Sequence, residues 1–252
     1  MPRAKPIKNE KTPLAKKQKG ARHEAVYRRP SRQRGVARYH SLLAATEELL
    51  QTYSPDAIGL YQIAEKAGCP PASVYHFFPT KESAYQALAE RYLEEMLDMH
   101  ATPVEARLLH SWQDLLTIGI RRGAAFTNER PPMLKILYGG YGGVEARNLD
   151  DAVTGRMAGV LYERFNMLFH MPIMRNPYRC FRIMLGILDA IWMISVRQTG
   201  RITEEYLEET NRACVGYLRL YLPEVVEPRD RLIDASSRGE TLSVPYFFEN
   251  DK

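Results

Sequence analysis

The stretch from Ile63 to Tyr85, IAEKAGCPPASVYHFFPTKESAY, limits the folds open to this chain more than any other. Ile63, Ala64 and Ala67 are spaced for one face of a short helix. Gly68 ends that helix, because glycine enters the left-handed backbone region without a Cβ clash. Pro70 and Pro71 cannot lie inside a helix, but the second suits a first helical position, where its missing N–H has no partner to lose. The helix so begun carries Val74, Phe77 and Phe78 inward and leaves Ala72, Ser73, Tyr75 and His76 on its outer or end surfaces. Thr80 caps a third helix from Lys81, with Glu82 at the positive end of the dipole. Two short helices joined by a glycine turn, the second presenting small and hydrogen-bonding side chains, form a helix-turn-helix suited to a DNA major groove.

Charge supports that reading once it is located. The net charge of the 252 residues is +5, but the first 34 hold twelve Lys and Arg against Glu10 and Glu24, which leaves the remainder net negative. A positive excess beside a helix-turn-helix is expected to meet a polyanion. The run Ile63-Ala64, Ala67-Gly68, Val74-Tyr75-His76-Phe77-Phe78 and Thr80-Lys81-Glu82 resembles, in order and without gaps, the DNA-binding segment of the TetR/AcrR repressor family. Gly59 stands where that family usually has a capping threonine, and Pro70-Pro71 where a serine and a polar residue are common. The resemblance implies a DNA-binding surface of Gly59, Tyr61, Pro71, Ala72, Ser73, Tyr75, His76, Thr80 and Lys81. Within it Tyr75 and Lys81 match backbone-contacting positions. Ala72, Ser73 and His76 have the chemistry for base edges.

Three cysteines, Cys69, Cys180 and Cys214, are odd in number and widely spaced. They suggest a reduced, cytoplasmic protein without a zinc site. The longest apolar stretch, Ile183 to Val196, is interrupted by Asp189, so no membrane span is expected. Neither an HxxxH pair, a GxSxG motif nor a dinucleotide fingerprint occurs, so neither an enzyme nor a cofactor or metal is expected. Gly139, Gly140, Gly142 and Gly143 lack the Lys-Ser/Thr ending of a phosphate loop and are expected to form a mobile loop.

Taken in order, residues 1–30 have too little aliphatic content to offset chain entropy, and a disordered basic arm is expected. It either tracks phosphates or only solubilises the chain. From Ser31 a helix then carries Val36, Tyr39, Leu42, Leu43, Thr46, Leu49, Leu50 and Tyr53 on one stripe. Residues 31–80 form the DNA-binding unit, and residues 81–223 a helical ligand-binding and dimerisation domain. The long helix from Lys81 joins the two. Ser111 and Asp114 form a capping box for a further helix. Another is expected to open at Asp150 or Asp151 and to carry Val153, Met157, Val160, Leu161, Phe165 and Leu168 inward. The segment 177–198 is apolar on more than one face, which requires burial on more than one face. Residues 224–252 are expected to be a tail; its aromatic end, Tyr246 to Phe248, is free or docked.

The resulting expectation is an all-α protein of about nine helices. In the resembled family the last two long helices pair with a second copy, and Ile183, Ile187, Ile194, Tyr217 and Tyr221 are the matching dimerisation candidates. Met133, Tyr138, Tyr141, Met157, Phe165, Met184, Asp189 and Trp192 are either core filler or an adaptable pocket for a mostly apolar small molecule. Arg182 and Asp189 either orient a polar group there or pair with each other. The resemblance implies a homodimeric repressor released from a palindromic double-stranded DNA operator by a small-molecule effector. A DNA-packaging protein is the rival, and a second helical domain of more than a hundred residues speaks against it.

Overall fold

The computed structural model describes residues 27–30, 32–139 and 144–243, and for 144–153 the backbone alone. Ten α-helical segments run through them: α1 Gln33–Thr52, α2 Leu60–Lys66, α3 Pro71–Phe77, α4 Lys81–Ala101, α5 Trp112–Asn128, α6 Pro131–Met133, α7 Val144–Leu168, α8 Pro177–Thr199, α9 Glu204–Leu218 and α10 Asp230–Ser237. A π-helical turn, Leu134–Tyr138, continues α6. Two strands of two residues, β1 Val104–Glu105 and β2 Thr241–Leu242, pair antiparallel.

Two apolar clusters organise these helices, and α4 belongs to both. The first joins Leu42, Leu43 and Leu50 of α1, Ile63 of α2, Val74 and Phe77 of α3, and Tyr85, Leu88 and Tyr92 of α4. The second gathers α5, α7, α8 and α9 around Trp112, Phe165, Phe181 and Met184. Met96 and Leu137 touch both clusters. Polar contacts fix α4 to the first unit. Tyr92 Oη donates to Glu47 Oε1 at 2.6 Å, Arg91 pairs with the same carboxylate at 2.5 Å, and Tyr85 Oη donates to the Pro55 carbonyl at 2.8 Å. From the far side Lys135 Nζ donates to the Leu50 and Tyr53 carbonyls at 2.5 and 3.0 Å, placing a cation at the negative end of α1.

Several segments differ from the sequence expectation. Val36 in the first turn of α1 is 38% exposed and Tyr53, which follows the helix in extended conformation, 52%, so the buried stripe starts at Tyr39 and ends at Leu50. The arm ends in an anchored residue: Tyr27 is buried against Tyr39 and Phe78, and Arg28 N donates to the Phe77 carbonyl at 3.0 Å. Residues 1–26 lie outside the described residues. Helix α7 begins at Val144, six residues before Asp150, because Glu145, Ala146 and Arg147 extend it backwards as good helix formers. The supposed tail is docked at least as far as residue 243. Val226, Leu232, Ala235 and Leu242 enter the second cluster, His170 N donates to the Glu227 carbonyl at 2.8 Å, and β2 pairs with the strand that follows α4. The aromatic end Tyr246 to Phe248 lies outside the described residues, as do Gly140, Tyr141, Gly142 and Gly143 of the glycine cluster.

Candidate nucleic-acid interface and effector core

The turn between α2 and α3 has the local chemistry expected of it. Gly68 has φ +61°, and Cys69 N donates to the Ala64 carbonyl at 3.0 Å, the six-to-one bond of a Schellman C-cap. Gly59 has no side chain to cap α2. Gln62 takes over: its Oε1 accepts from Gly59 N at 2.5 Å while its Nε2 donates to the Ala57 carbonyl at 3.1 Å. Thr80 Oγ1 accepts from Ser83 N at 3.2 Å, and the Ser83 hydroxyl accepts from Thr80 N at 3.2 Å, so the α4 cap is reciprocal.

Val74 and Phe77 hold the inner side of α3. On the outer side Pro71, Ala72, Tyr75 and His76 are exposed and Ser73 is half-buried. Tyr61 of α2, Gly59 at its N-cap and Thr80 before α4 are also open to solvent or partly so, with Tyr61 69% exposed. Lys81 is half-buried, its Nζ 3.3 and 3.4 Å from the Pro55 and Asp56 carbonyls, so part of its role is to hold the turn after α1.

In the second cluster the Met and aromatic set is only partly assembled. Tyr138, Met157, Phe165, Met184 and Trp192 are buried together. The Tyr138 ring meets Trp192 edge-on at 6.1 Å, and its hydroxyl donates to Asp189 Oδ1 at 3.1 Å. Phe165 packs on Phe181 at 5.1 Å. Met133 is not in this set. It is fully buried in the first cluster, because α6 lies against α1. Tyr141 lies outside the described residues. A separate groove of about 460 Å³ between α5 and α9 is of mixed character, with Ile120, Leu207 and Val215 in its lining beside Thr117, Arg121 and Glu208.

Two charged or titratable residues of this core escaped the sequence reading. Arg164 is 5% exposed and His100 8%. Arg164 falls four residues after Val160, seven after Met157 and four before Leu168, on the buried stripe of α7, and that spacing was the available signal. Burial lowers its pKa from the usual arginine value to about 10, with Arg122 adding to the effect. For His100 burial comes first and the cations Arg164 and Arg122 second, and together they lower the pKa from 6.5 to about 4. The unfolded chain binds that proton near pH 6.5, whereas the folded one resists it down to about pH 4. Stability tied to His100 is therefore present above pH 6.5 and lost as pH falls through this window, by up to roughly 3 kcal/mol. Urea unfolding of His100→Gln should show a flatter dependence on pH over that window than the wild type; parallel curves would contradict it.

The second face of α8 is open. Ile183 is 43% and Ile194 45% exposed, Ile187 is half-buried, and Gly186 and Ala190 between them are exposed and small. At the end of α9 Tyr221 is 48% exposed with its ring 5.4 Å from that of the half-buried Tyr217. Among the described residues no helix is long and apolar enough to cross a membrane, and no cluster of three His, Cys, Asp or Glu side chains is placed to hold a metal.

Residues 42–88 match the family model described as bacterial regulatory proteins, tetR family. An uncharacterised HTH-type transcriptional regulator of Bacillus subtilis, YxaF, is 35% identical over 81 residues, 29% of this chain and 42% of the relative. The match thus spans less than half the length of that relative. A TetR-family transcriptional regulator from Streptomyces coelicolor shares the fold with TM-score 0.57 and 22% identity, over 74% of this chain and 98% of that one. RolR in complex with resorcinol shares it with TM-score 0.58 and 14% identity, over 84% and 99%. A TetR regulator from Rhodococcus sp. RHA1 gives 0.56 and 19%, over 74% and 96%. At these identities the likeness is one of fold.

Proposed function

We infer that this chain, a TetR-family transcriptional regulator by its DNA-binding segment and its fold, is a dimeric, sequence-specific repressor released from its operator by a small, mostly apolar molecule. The observation that carries the reading is α3: a helix held from within by Val74 and Phe77 whose outer side carries Ala72, Tyr75 and His76 in the open. A protein needing only its own core would gain nothing from Tyr61 and Tyr75 standing 69% and 57% exposed on one small unit. Tyr75 and Lys81 are assigned to phosphates, and Ala72, Ser73 and His76 to base edges. Ala72 allows close approach or a thymine-methyl contact, and hydroxyl and imidazole supply hydrogen bonds.

Ligand response rests on the division of the molecule into two cores joined by α4, and on the aromatic and Met set next to it. RolR, of the same fold, was solved with the ligand resorcinol. A molecule entering the second core changes the packing of Met96 and Leu137, which touch both cores, and so tilts α4 and the reading head. Dimerisation rests on the open face of α8.

For the phosphate assignment, Lys81→Ala is expected to weaken binding to every duplex alike and to lower the slope of log affinity against log salt by about one. Unchanged affinity and slope would leave Lys81 with its role in the turn alone. The function as a whole is tested by selecting bound sites from random duplex DNA. An inverted repeat is expected, with half-site centres about 34–36 Å apart or a multiple of that. A bound pool with no shared sequence would instead favour an architectural DNA-binding protein.

A further inference from the structure

The described residues give Arg164 no ion-pair partner, and nothing accepts a hydrogen bond from its Nη1. Yet it lies on the inward stripe of α7, 5% exposed, with Met157, Val160 and Leu168. Its charged and titratable neighbours do not compensate it. Arg122 of α5 has its own sign and donates to the Thr102 and Pro103 carbonyls at 3.0 and 2.8 Å. His100 of α4 is kept neutral by burial. A second donor in the same core, Trp192 Nε1, is also buried without a partner.

Helix α5 runs past the His100 ring and the benzo edge of Trp192 on adjacent turns. A Cβ on Gly119 would lie 3.8 Å from the His100 ring, and one on Gly123, a turn later, 3.2 Å from the Trp192 ring. Buried donors are almost always paired, and a buried charge without a counter-charge is strongly unfavourable. A fold that retains both is accounted for by a partner that arrives from outside. The donors define it. A planar guanidinium fork fits a carboxylate with two parallel hydrogen bonds, and an indole N–H adds one more. With Arg164 as the one cation whose Nη1 has no acceptor among the described arginines of this core, a single negative charge is matched better than a dianion. Met157, Met184, Tyr138 and Phe165 belong to the same buried apolar cluster as Trp192, and methionines can re-pack around a guest.

We propose that Arg164, with the Trp192 indole N–H as second donor, receives the carboxylate of an organic monoanion with an apolar body, and that this is the effector class of the regulator. The assignment of the anion as effector rests on the ligand-responsive reading above; the site itself does not. Its place beside His100 puts the guest against α4, the helix that begins at Lys81 next to the reading head.

Calorimetry and thermal unfolding of the full chain test it, with benzoate and octanoate as probes, benzamide as the uncharged counterpart of benzoate, and sodium chloride at matched ionic strength. A saturable rise in midpoint is expected with at least one carboxylate and with neither benzamide nor chloride. Arg164→Met should bind that carboxylate about ten- to a hundredfold more weakly, the loss expected for a charge-assisted hydrogen bond. Without ligand it should be at least as stable as the wild type, because an apolar side chain of similar volume removes an unpaired charge. Arg164→Lys keeps the charge but loses the fork, and should fall between the two. The proposal is overturned if neither carboxylate binds, if benzamide or chloride acts equally, if Arg164→Met keeps its affinity, or if that variant is less stable, which would make Arg164 a structural residue. Operator affinity of the ligand-free protein is measured separately. A chain that binds carboxylate through Arg164 but no DNA would remove the regulatory reading and leave the site.

Discussion

Ile194→Glu is expected to turn the proposed dimer into monomers that no longer hold the operator. Ile194 stands 45% exposed on the single chain, so a glutamate there remains solvated in the monomer and leaves α8 folded. Against a second copy the same carboxylate would be buried opposite an apolar surface, and an uncompensated buried charge costs about 3–5 kcal/mol. A symmetric interface suffers that cost at both copies of the residue. Ile187 is the poorer choice, because it packs partly on its own core and a charge there would also disturb the fold. Sedimentation should show monomers at concentrations where the wild type is dimeric. Circular dichroism should show unchanged helix, and operator affinity should fall by more than about a hundredfold, since one head makes half the contacts. A wild type that sediments as a monomer at micromolar concentration contradicts the dimer directly.

Ala72→Glu is expected to abolish binding to all duplexes while leaving the protein folded. Ala72 is exposed in the first turn of α3, where an acidic side chain favours the helix dipole and costs the fold nothing. In the groove the same carboxylate meets a line of phosphates, and at about 4 Å one like-charge pair near a protein surface is worth roughly 4 kcal/mol. The loss should therefore exceed a hundredfold and should not depend on sequence. Ala72→Gly, which removes only a methyl group, should change preference among sites with far less loss of affinity. An Ala72→Glu protein that binds within twofold of the wild type would show that α3 does not enter the groove.

Much of the DNA-binding unit was legible because its chemistry is local. Gly68 ends one helix, Pro71 starts the next and Thr80 caps a third, all within a few residues. The substitute cap at Gly59 was not legible as a motif, since it needs Gln62 to fold back on both Gly59 and Ala57. The second core was read less well, for three physical reasons. Met133 lies five residues before Tyr138, but one side chain faces α1 and the other Trp192, which only the packing of α6 decides. Arg164 was passed over because a charge on an apolar stripe is ordinarily turned outward. In residues 224–243 the apolar residues Val226, Leu232, Ala235 and Leu242 are too sparse to show a period, and they are buried by partners far away in the chain. The excess apolarity of α8 was visible in the sequence, and on the single chain Ile183 and Ile194 of its second face stay exposed.

The most direct test of the whole account is the binding of this protein to its selected duplex and to the same duplex with one half-site scrambled, with the mass of each complex measured in parallel. Two chains on the intact duplex and a loss of at least about a hundredfold on scrambling one half are predicted for a sequence-reading dimer. A single chain bound, or equal affinity for both duplexes, would contradict it.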